Sequence, residues 1–295
     1  MSIDSADFRD LIYAVAGRTR FRPAIIEKDY YLTVILNSLN DGLSDRIVFK
    51  GETLLNKIYL PMRRLSEDLD FSHEGEGGLD TRAKRSRALE PIRVGMRRFL
   101  EALGLHSDKP EGEGFNNSTQ YLFLVNYPSF VTTKEESIKI EISLRLPPLK
   151  TTVKNSVSHF FQDSFTGEDL LPNKSIRSLS YDEAVAEKLR AAVARRDVTV
   201  RDCYDLKEIS SAGFDFLKPE FTALFHKKLE EVGYRGDFRQ RLGRSEREID
   251  QLRRQVATDL LPVIRAEEEF DIDAVLGLFN TILSDKAYSR NGKEE

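Results

Sequence analysis

The most informative part of the sequence reads Lys50-Gly51-Glu52-Thr53-Leu54-Leu55-Asn56-Lys57-Ile58-Tyr59-Leu60-Pro61-Met62-Arg63-Arg64-Leu65-Ser66-Glu67-Asp68-Leu69-Asp70-Phe71-Ser72. An apolar run, residues 47–49, precedes it and is typical of a short buried strand. Gly51 then turns the chain, and residues 53–60 have the pattern of a short helix. The stretch therefore predicts a strand, a tight turn, a helix and a second strand in succession.

The second strand carries two aspartates, Asp68 and Asp70. Because successive side chains of a strand point to opposite faces, these two aspartates share one face, while Leu69 and Phe71 share the other and face a core. Two neighbouring carboxylates repel each other unless a cation lies between them. Mg²⁺ and Mn²⁺ prefer hard oxygen ligands, which they often share with substrate phosphates. We therefore expect Asp68 and Asp70 to be metal ligands.

A later strand supplies a third carboxylate. Residues 136–146 alternate between apolar side chains on one face and polar side chains on the other, and Glu141 lies on the polar face. Residues 121–127 read as a buried strand next to it. We predict that Glu141 joins Asp68 and Asp70 as the third metal ligand, although alone it would be read as a surface residue.

Composition limits the class of protein. The chain has 295 residues, 40% of them apolar, with 45 basic and 49 acidic side chains, so it can bury a core and is not a basic nucleic-acid coat protein. One cysteine, Cys203, excludes an internal disulfide framework. The sequence shows neither a signal peptide nor an apolar run long enough to span a bilayer. We expect a cytoplasmic protein with no membrane association.

The distribution of strand and helix patterns suggests two domains. Strand patterns are confined to the first half, whereas helical patterns dominate from about residue 176. The sequence therefore predicts an α+β fold: a small mixed sheet flanked by helices over residues 1–150, followed by a helical domain over residues 176–288. The boundary between them is predicted near residues 147–178, and a polar, glycine-containing loop is predicted at residues 107–118.

Three features combine into one chemistry. The turn Gly51-Glu52-Thr53 opens a helix, and backbone N–H groups at a helix start bind phosphate. Each feature alone has a plain interpretation: an ordinary capped turn, two solvated acids on an edge strand, and a surface glutamate. Together they match nucleotidyl transfer, in which divalent cations activate the attacking oxygen and stabilise the leaving pyrophosphate. The cofactor expected is Mg²⁺ or Mn²⁺, and the substrate is an NTP.

At these residues the chain resembles a known family. Lys50-Gly51-Glu52-Thr53, followed by Arg64-Leu65-Ser66-Glu67-Asp68-Leu69-Asp70, is similar to the signature of the AbiEii/AbiGii-type nucleotidyltransferase toxins of the DNA polymerase β-like superfamily. Two more stretches resemble that family. One is Glu27-Lys28-Asp29-Tyr30-Tyr31; the other is Glu187-Lys188-Leu189 with Arg195 and then Arg201-Asp202-Cys203-Tyr204-Asp205-Leu206.

The resemblance implies roles for single residues. Lys188 matches the catalytic lysine, and Asp202 or Asp205 matches a helical acid, with the choice between them open. Lys188 and Arg195 lie on one helical stripe, separated by small residues, and would form a phosphate-facing surface. In the next helix Arg201 and Asp205 are four residues apart, and intrahelical salt bridging on a solvated face is the plain alternative there. The family resemblance and the turn motif together predict the nucleotide-binding residues, which are Lys50, Gly51, Glu52, Thr53, Arg64, Ser66, Arg195 and Arg201.

The resemblance also implies a fold and a function. It implies that the small mixed sheet is of the nucleotidyltransferase type. It indicates a nucleotidyltransferase that acts as the toxin of a toxin–antitoxin or abortive-infection system, with tRNA as acceptor and a cognate antitoxin as partner. A protein hydroxyl is an alternative acceptor. A degenerate nucleotide-binding module is a second alternative, because Glu52 stands where the family usually has Gly or Ser, and a carboxylate there could repel a triphosphate.

Overall fold

The computed structural model describes residues 5–39, 43, 45–60, 62–74, 79–238 and 245–288. The chain divides into two compact units, residues 1–180 and 181–295. Each is described by itself. Among the described residues, no helix is long and apolar enough to cross a membrane.

The first unit holds the strands and four helices of the described residues. Its helices are α1 (Ser5–Thr19), α2 (Pro23–Ser38), α3 (Gly51–Leu54, continuing as a π-helical turn, Leu55–Tyr59) and α4 (Arg82–Ala102). Its strands are β1 (Ile47–Lys50), β2 (Asp68–His73), β3 (Glu113–Phe115), β4 (Gln120–Pro128), β5 (Glu135–Ser143), β6 (Val153–Ser156) and β7 (Ser175–Ser178). The mixed sheet and flanking helices confirm the predicted fold class.

These strands form one seven-stranded sheet in the order β3-β4-β5-β2-β1-β7-β6. Strands β2 and β5 run parallel, as do β1 and β7, and the other neighbours are antiparallel. Leu69, Phe71 and Ile140 are buried on the apolar face, as the alternation predicted. The opposite face of the central strands is left to polar side chains, and β2 lies between β1 and β5.

Three strands differ from the sequence-based expectation. Strand β3 lies in the segment expected to be a loop, and β6 and β7 lie in the connection between the predicted domains. They are three or four residues long and largely polar, so their hydrophobic pattern is weak. Because β7 pairs with β1, the first unit extends to residue 180 rather than 150.

Helix α4 continues without a break through Pro91. Proline removes the hydrogen bond to the carbonyl four residues earlier, at Arg87. Arg87 and Pro91 are both exposed, so water can satisfy that carbonyl. Thr81 caps the start of the helix by accepting a hydrogen bond from the backbone N–H of Lys84.

The second unit is helical in its described residues. It contains α5 (Tyr181–Ala194), α6 (Val200–Ser211), α7 (Pro219–Glu231), α8 (Glu246–Gln255, continuing as a π-helical turn, Val256–Leu260) and α9 (Ile272–Ser284). Its core includes a cluster of aromatic rings in edge-on contact, among them Phe214, Phe216 and Phe221. Ser245 and Glu248 form a capping box at the start of α8.

Candidate active site

The turn after β1 is shaped around one aspartate. Gly51 has φ +80°, a conformation that side chains other than glycine rarely adopt. A Cβ atom at Gly51 would lie 2.4 Å from the Oδ2 atom of Asp70 and 2.9 Å from its Cβ. The turn therefore requires glycine for two reasons, and it brings the start of α3 directly against the Asp70 carboxylate.

The sheet register brings the predicted acids together. Strands β2 and β5 pair so that Asp70 is opposite Glu141 and Asp68 is opposite Lys139. On the other side of β2, Asp70 is opposite Lys50 of β1. All five side chains belong to the polar face. The Nζ atom of Lys139 lies 3.3 Å from Oδ2 of Asp68, in a pair that is roughly 40% exposed on both sides.

The electrostatics centre on Asp70. The pKa of this carboxyl is raised to about 6, mainly by burial; the nearby Glu141 and Glu52 charges add to the increase, and Lys50 and Lys139 oppose it. The buried, ionised form of Asp70 is therefore not fully compensated by the protein alone. A divalent cation would supply the compensating charge, because an opposite charge a few ångströms away stabilises a carboxylate.

Glu141 is oriented by a residue that sequence analysis missed. The Nε2 atom of Gln120 donates to Oε1 of Glu141 at 3.0 Å. Gln120 lies two residues before Leu122, which is directly opposite Glu141 on β4. The alternation of β4 could have placed Gln120 on the polar face, as that of β5 placed Lys139, but neither residue is part of the quoted motifs.

Glu52, the departure from the family pattern, has a partner. The Nη2 atom of Arg64 lies 2.7 Å from Oε2 of Glu52, and the Arg64 side chain is fully buried. Arg64 also donates to the carbonyl of Leu65 at 3.3 Å. The Glu52 carboxylate is therefore neutralised by a buried guanidinium. The buried position of Arg64 suits fixing the turn through Glu52 rather than touching a nucleotide itself.

Thr53 and Ser66 are also drawn into the packing of this turn. Thr53 is buried, and its hydroxyl donates to the carbonyl of Asp68. The Nδ2 atom of Asn56 donates to the Glu52 carbonyl at 3.0 Å and to the Ser66 hydroxyl at 3.2 Å. These contacts tie α3 to the segment before β2. They fix the position of the turn at Gly51–Thr53 relative to Asp68 and Asp70.

The motif Glu27-Lys28-Asp29 on α2 contacts separate parts of the first unit. The Asp29 carboxylate is buried and lies 2.7 Å from Nζ of Lys57, in the π-helical turn that follows α3. Lys28 lies 3.6 Å from Glu67, the residue before Asp68. Glu27 accepts a hydrogen bond from the backbone N–H of Phe130 at 2.7 Å. Asp29 therefore contacts the π-helical turn that continues α3, and Lys28 contacts the residue that precedes Asp68.

In the second unit, the predicted lysine and acids form one buried cluster. The Nζ atom of Lys188 lies 2.9 Å from Oδ1 of Asp202 and 2.8 Å from Oδ2 of Asp205. Arg195 lies 3.0 Å from the other oxygen of Asp202 and is half-exposed. Arg201 donates to the carbonyl of Asp259 at 2.9 Å. Both aspartates thus contact Lys188. The sequence left open which of them is the helical acid of the motif, and these contacts do not distinguish the two.

The donor set on the sheet suits a hard divalent cation. In the part of the chain that the structure describes, no three Asp, Glu, His or Cys side chains converge closely enough to enclose an ion. Asp68, Asp70 and Glu141 nevertheless share one face, offer only oxygen atoms, and include a carboxyl whose pKa is raised, mainly by burial. Their chemistry fits Mg²⁺ or Mn²⁺.

Solved structures give the first comparison. MenT4, a nucleotidyltransferase toxin from Mycobacterium tuberculosis H37Rv, is 20% identical, with a TM-score of 0.60 over 94% of this chain and 88% of that one. JHP933 from Helicobacter pylori is 18% identical, with a TM-score of 0.49 over 89% of this chain and 91% of that one. No curated protein matches the sequence. At this identity, the MenT4 likeness shows a shared fold.

The sequence comparison reaches further than the fold. Residues 34–277 match the family described as nucleotidyl transferase AbiEii toxin, type IV toxin–antitoxin system. That range includes the phosphate turn, all three sheet carboxylates and the Lys188 cluster. The match confirms the resemblance drawn from the motifs and the predicted class of enzyme. The chain belongs to the AbiEii family of nucleotidyltransferase toxins of type IV toxin–antitoxin systems.

Proposed function

We propose that the protein transfers a nucleoside monophosphate from an NTP to the end of a tRNA, using Mg²⁺ held by Asp68, Asp70 and Glu141. One observation carries the proposal: the register of β2 and β5 places Asp70 beside Glu141, directly against the turn at Gly51. The family supports an NTP substrate and an antitoxin partner. The proposal adds the metal, its ligands and the acceptor.

The proposed reaction is a substitution at the α-phosphorus. The acceptor hydroxyl oxygen forms a bond to phosphorus, the bond to the β-phosphate oxygen breaks, and pyrophosphate leaves with that electron pair. Bound Mg²⁺ would supply positive charge to the attacking oxygen and to the pyrophosphate. Glu141, with one oxygen held by Gln120, is suited to take the proton of the acceptor hydroxyl.

The turn residues bind the triphosphate in this proposal. Gly51, Glu52 and Thr53 offer backbone N–H groups at the start of α3, where the helix dipole favours anions. The ion pair between Glu52 and Arg64 removes the repulsion that a free carboxylate would cause. This pairing weakens the alternative of a degenerate binding module, for which Glu52 was the only argument.

Lys188 is proposed as the lysine that neutralises charge on the leaving pyrophosphate. Asp202 and Asp205 both contact its ammonium group, so they orient it. Lysine in such a site stabilises a charge that develops in the transition state more than one already present in the substrate. Arg195, on the same helix, is proposed to add a second positive charge.

The test is a transfer assay with each of the four α-labelled NTPs, Mg²⁺ and total tRNA, repeated with a protein extract in place of tRNA. We expect label in tRNA with wild-type protein and none with Asp70→Asn. Label in protein alone would replace the acceptor. No label in either acceptor, or equal label with Asp70→Asn, would contradict the proposed chemistry.

A further inference from the structure

A short hairpin loop in the first unit projects a single aromatic ring. We call residues 161–170 the acidic finger. Gln162 and Asp169 pair across its base as an antiparallel bridge. At its tip, Oδ1 of Asp163 accepts hydrogen bonds from the backbone N–H groups of Phe165 at 2.9 Å and Thr166 at 2.8 Å. The tip therefore has a defined hydrogen-bonded shape that holds Phe165 at its apex.

Phe165 is 98% exposed, the highest value among the large hydrophobic side chains that the structure describes as exposed. A phenylalanine held almost completely in water is unfavourable for a lone molecule, and buried aromatic rings dominate protein interfaces. The finger also carries three acids, Asp163, Glu168 and Asp169. None of these three has a cationic partner within hydrogen-bond distance in the described part of the chain.

The base of the finger is anchored firmly. Phe161 is fully buried, and its ring centroid lies 5.2 Å from that of Tyr30 on α2. The backbone N–H of Leu170 donates to the carbonyl of Phe161 at 2.9 Å. Just before the finger, the N–H of Ser158 donates to the carbonyl of Lys57 at 2.8 Å. A partner would therefore meet a preorganised tip, which lowers the entropy cost of docking.

The same unit contains an open groove with the opposite character. Its volume is about 580 Å³, and its lining includes Ala6, Pro128 and Phe130 together with the cations Arg9 and Lys134. Arg9 lies 5.7 Å over the ring of Tyr13, and neither cation has a carboxylate partner within the described ranges. Glu135 also lines the groove and contacts His106 at 3.2 Å. The groove thus combines apolar side chains with two cations and one carboxylate.

We propose that the acidic finger of one copy docks into this groove on a second copy of the chain, with Phe165 on the apolar floor and Glu168 and Asp169 near Arg9 and Lys134. Shape and charge are complementary: the finger presents one protruding ring beside three acids, and the groove is an apolar recess whose two cations outnumber its single acid, Glu135. The three acids disfavour stacking of Phe165 on a nucleic acid, because its phosphates would be repelled.

The experiment is sedimentation velocity of the full chain over a wide concentration range, at low and high salt. We expect wild-type protein to self-associate, and less so at high salt because the contacts are partly ionic. Phe165→Ser should weaken the association about tenfold or more, as the loss of a buried aromatic anchor does. Leu278→Ser, which changes an exposed leucine of the second unit, is the matched control and should have no effect.

Charge reversal makes the test specific. Glu168→Lys/Asp169→Lys and Arg9→Glu/Lys134→Glu should each abolish self-association, and all four changes in one chain should restore it. Mixing the two separate variants should also restore association, since the reversed finger then meets the reversed groove. A wild-type chain that stays monomeric at every concentration would overturn the proposal. So would equal effects of Phe165→Ser and Leu278→Ser, or a failure of the reversed pair to recover.

Discussion

Acidic side chains gather in both units of this protein, and the two groups differ in how their charge is balanced. On the sheet, Asp70 and Glu141 stand side by side, and burial together with neighbouring acids raises the pKa of Asp70 to about 6. In the helical unit, Asp202 and Asp205 are more deeply buried, yet both contact the ammonium of Lys188 within 3 Å. The helical acids have a resident cation, and the sheet acids do not have enough of one.

The presence or absence of a contacting cation distinguishes a charge cluster that stabilises the fold from one that is kept for binding a ligand. A buried ion pair that loses one partner leaves an uncompensated charge, so the Lys188 cluster must be complete for the unit to be stable. An acid pair short of positive charge costs stability in the protein alone and is kept for what it binds. We therefore expect substitutions in the two groups to act on different measurements.

The largest effect is expected from Asp70→Asn. Removing this proposed metal ligand would forfeit the several kcal/mol that a bound cation gives the transition state, so turnover should fall by about 10³-fold or more. Thermal stability should be unchanged or raised, because the ionised Asp70 carboxyl is already disfavoured by burial. Turnover and melting temperature are measured on the same preparations. Asp108→Asn, an exposed aspartate, is the control. Wild-type turnover in Asp70→Asn would show that the sheet acids are not the reactive group.

Lys188→Met should affect stability first. It removes the ammonium that contacts both buried aspartates and leaves Asp202 with the half-exposed Arg195 as its cation, which costs about 3–5 kcal/mol of unfolding free energy. Adding Asp202→Asn and Asp205→Asn should recover most of that loss, because no buried charge is then left unpaired. Urea unfolding measures both changes, with exposed Lys227→Ala as the control.

The rescued variant then isolates the chemical role of the lysine. We expect its turnover to be lower than that of wild type by about 10²-fold, as for the loss of one charge-stabilising group. NTP binding should weaken less than turnover. Wild-type turnover in a stable rescued variant would restrict the Lys188 cluster to holding the helices together.

Gly51→Ala tests how closely the turn and Asp70 depend on each other. A side chain in the left-handed region costs about 1–2 kcal/mol, and its Cβ would displace the Asp70 carboxylate, which lies 2.4 Å away. We expect a modest loss of unfolding free energy and a clear loss of turnover. Gly104→Ala has a similar positive φ with nothing near its Cβ, so it should show only the stability loss. Equal turnover in the two variants would mean that the close approach is unimportant.

The smallest effect is expected from Lys139→Ala. Its ion pair with Asp68 is 3.3 Å long and exposed on both sides, and such pairs contribute about 0–1 kcal/mol. Unfolding free energy should therefore change little, in contrast to Lys188→Met. A loss comparable to that of Lys188→Met would remove the distinction between the two groups.

Much of the sheet could be predicted from local pattern. The alternation of residues 136–146 placed Glu141 on the polar face, and the alternation at Asp68 and Asp70 did the same for β2. Strands β6 and β7 could not be found this way, because they are short, polar and stabilised by pairing with distant strands rather than by their own side chains.

The sequence indicated which residues belong to the candidate site, but not which of them contact each other. The sequence places Glu52 at the turn but does not reveal its partner Arg64, because the ion pair joins two segments through tertiary packing. Likewise, the helical stripe of Lys188 was visible, but its contacts with Asp202 and Asp205 depend on the packing of α5 against α6. Pairings between elements are tertiary information that a local pattern does not carry.

Binding of Mn²⁺ in the presence of a non-hydrolysable NTP, followed by electron paramagnetic resonance, tests the central distinction most directly. The account predicts a bound-Mn²⁺ signal with wild-type protein and its loss in Asp70→Asn. The signal should remain in Lys188→Met/Asp202→Asn/Asp205→Asn, where the fold is compensated and the sheet acids are intact. Undiminished Mn²⁺ binding by Asp70→Asn, or its loss only in the helical variant, would contradict the account.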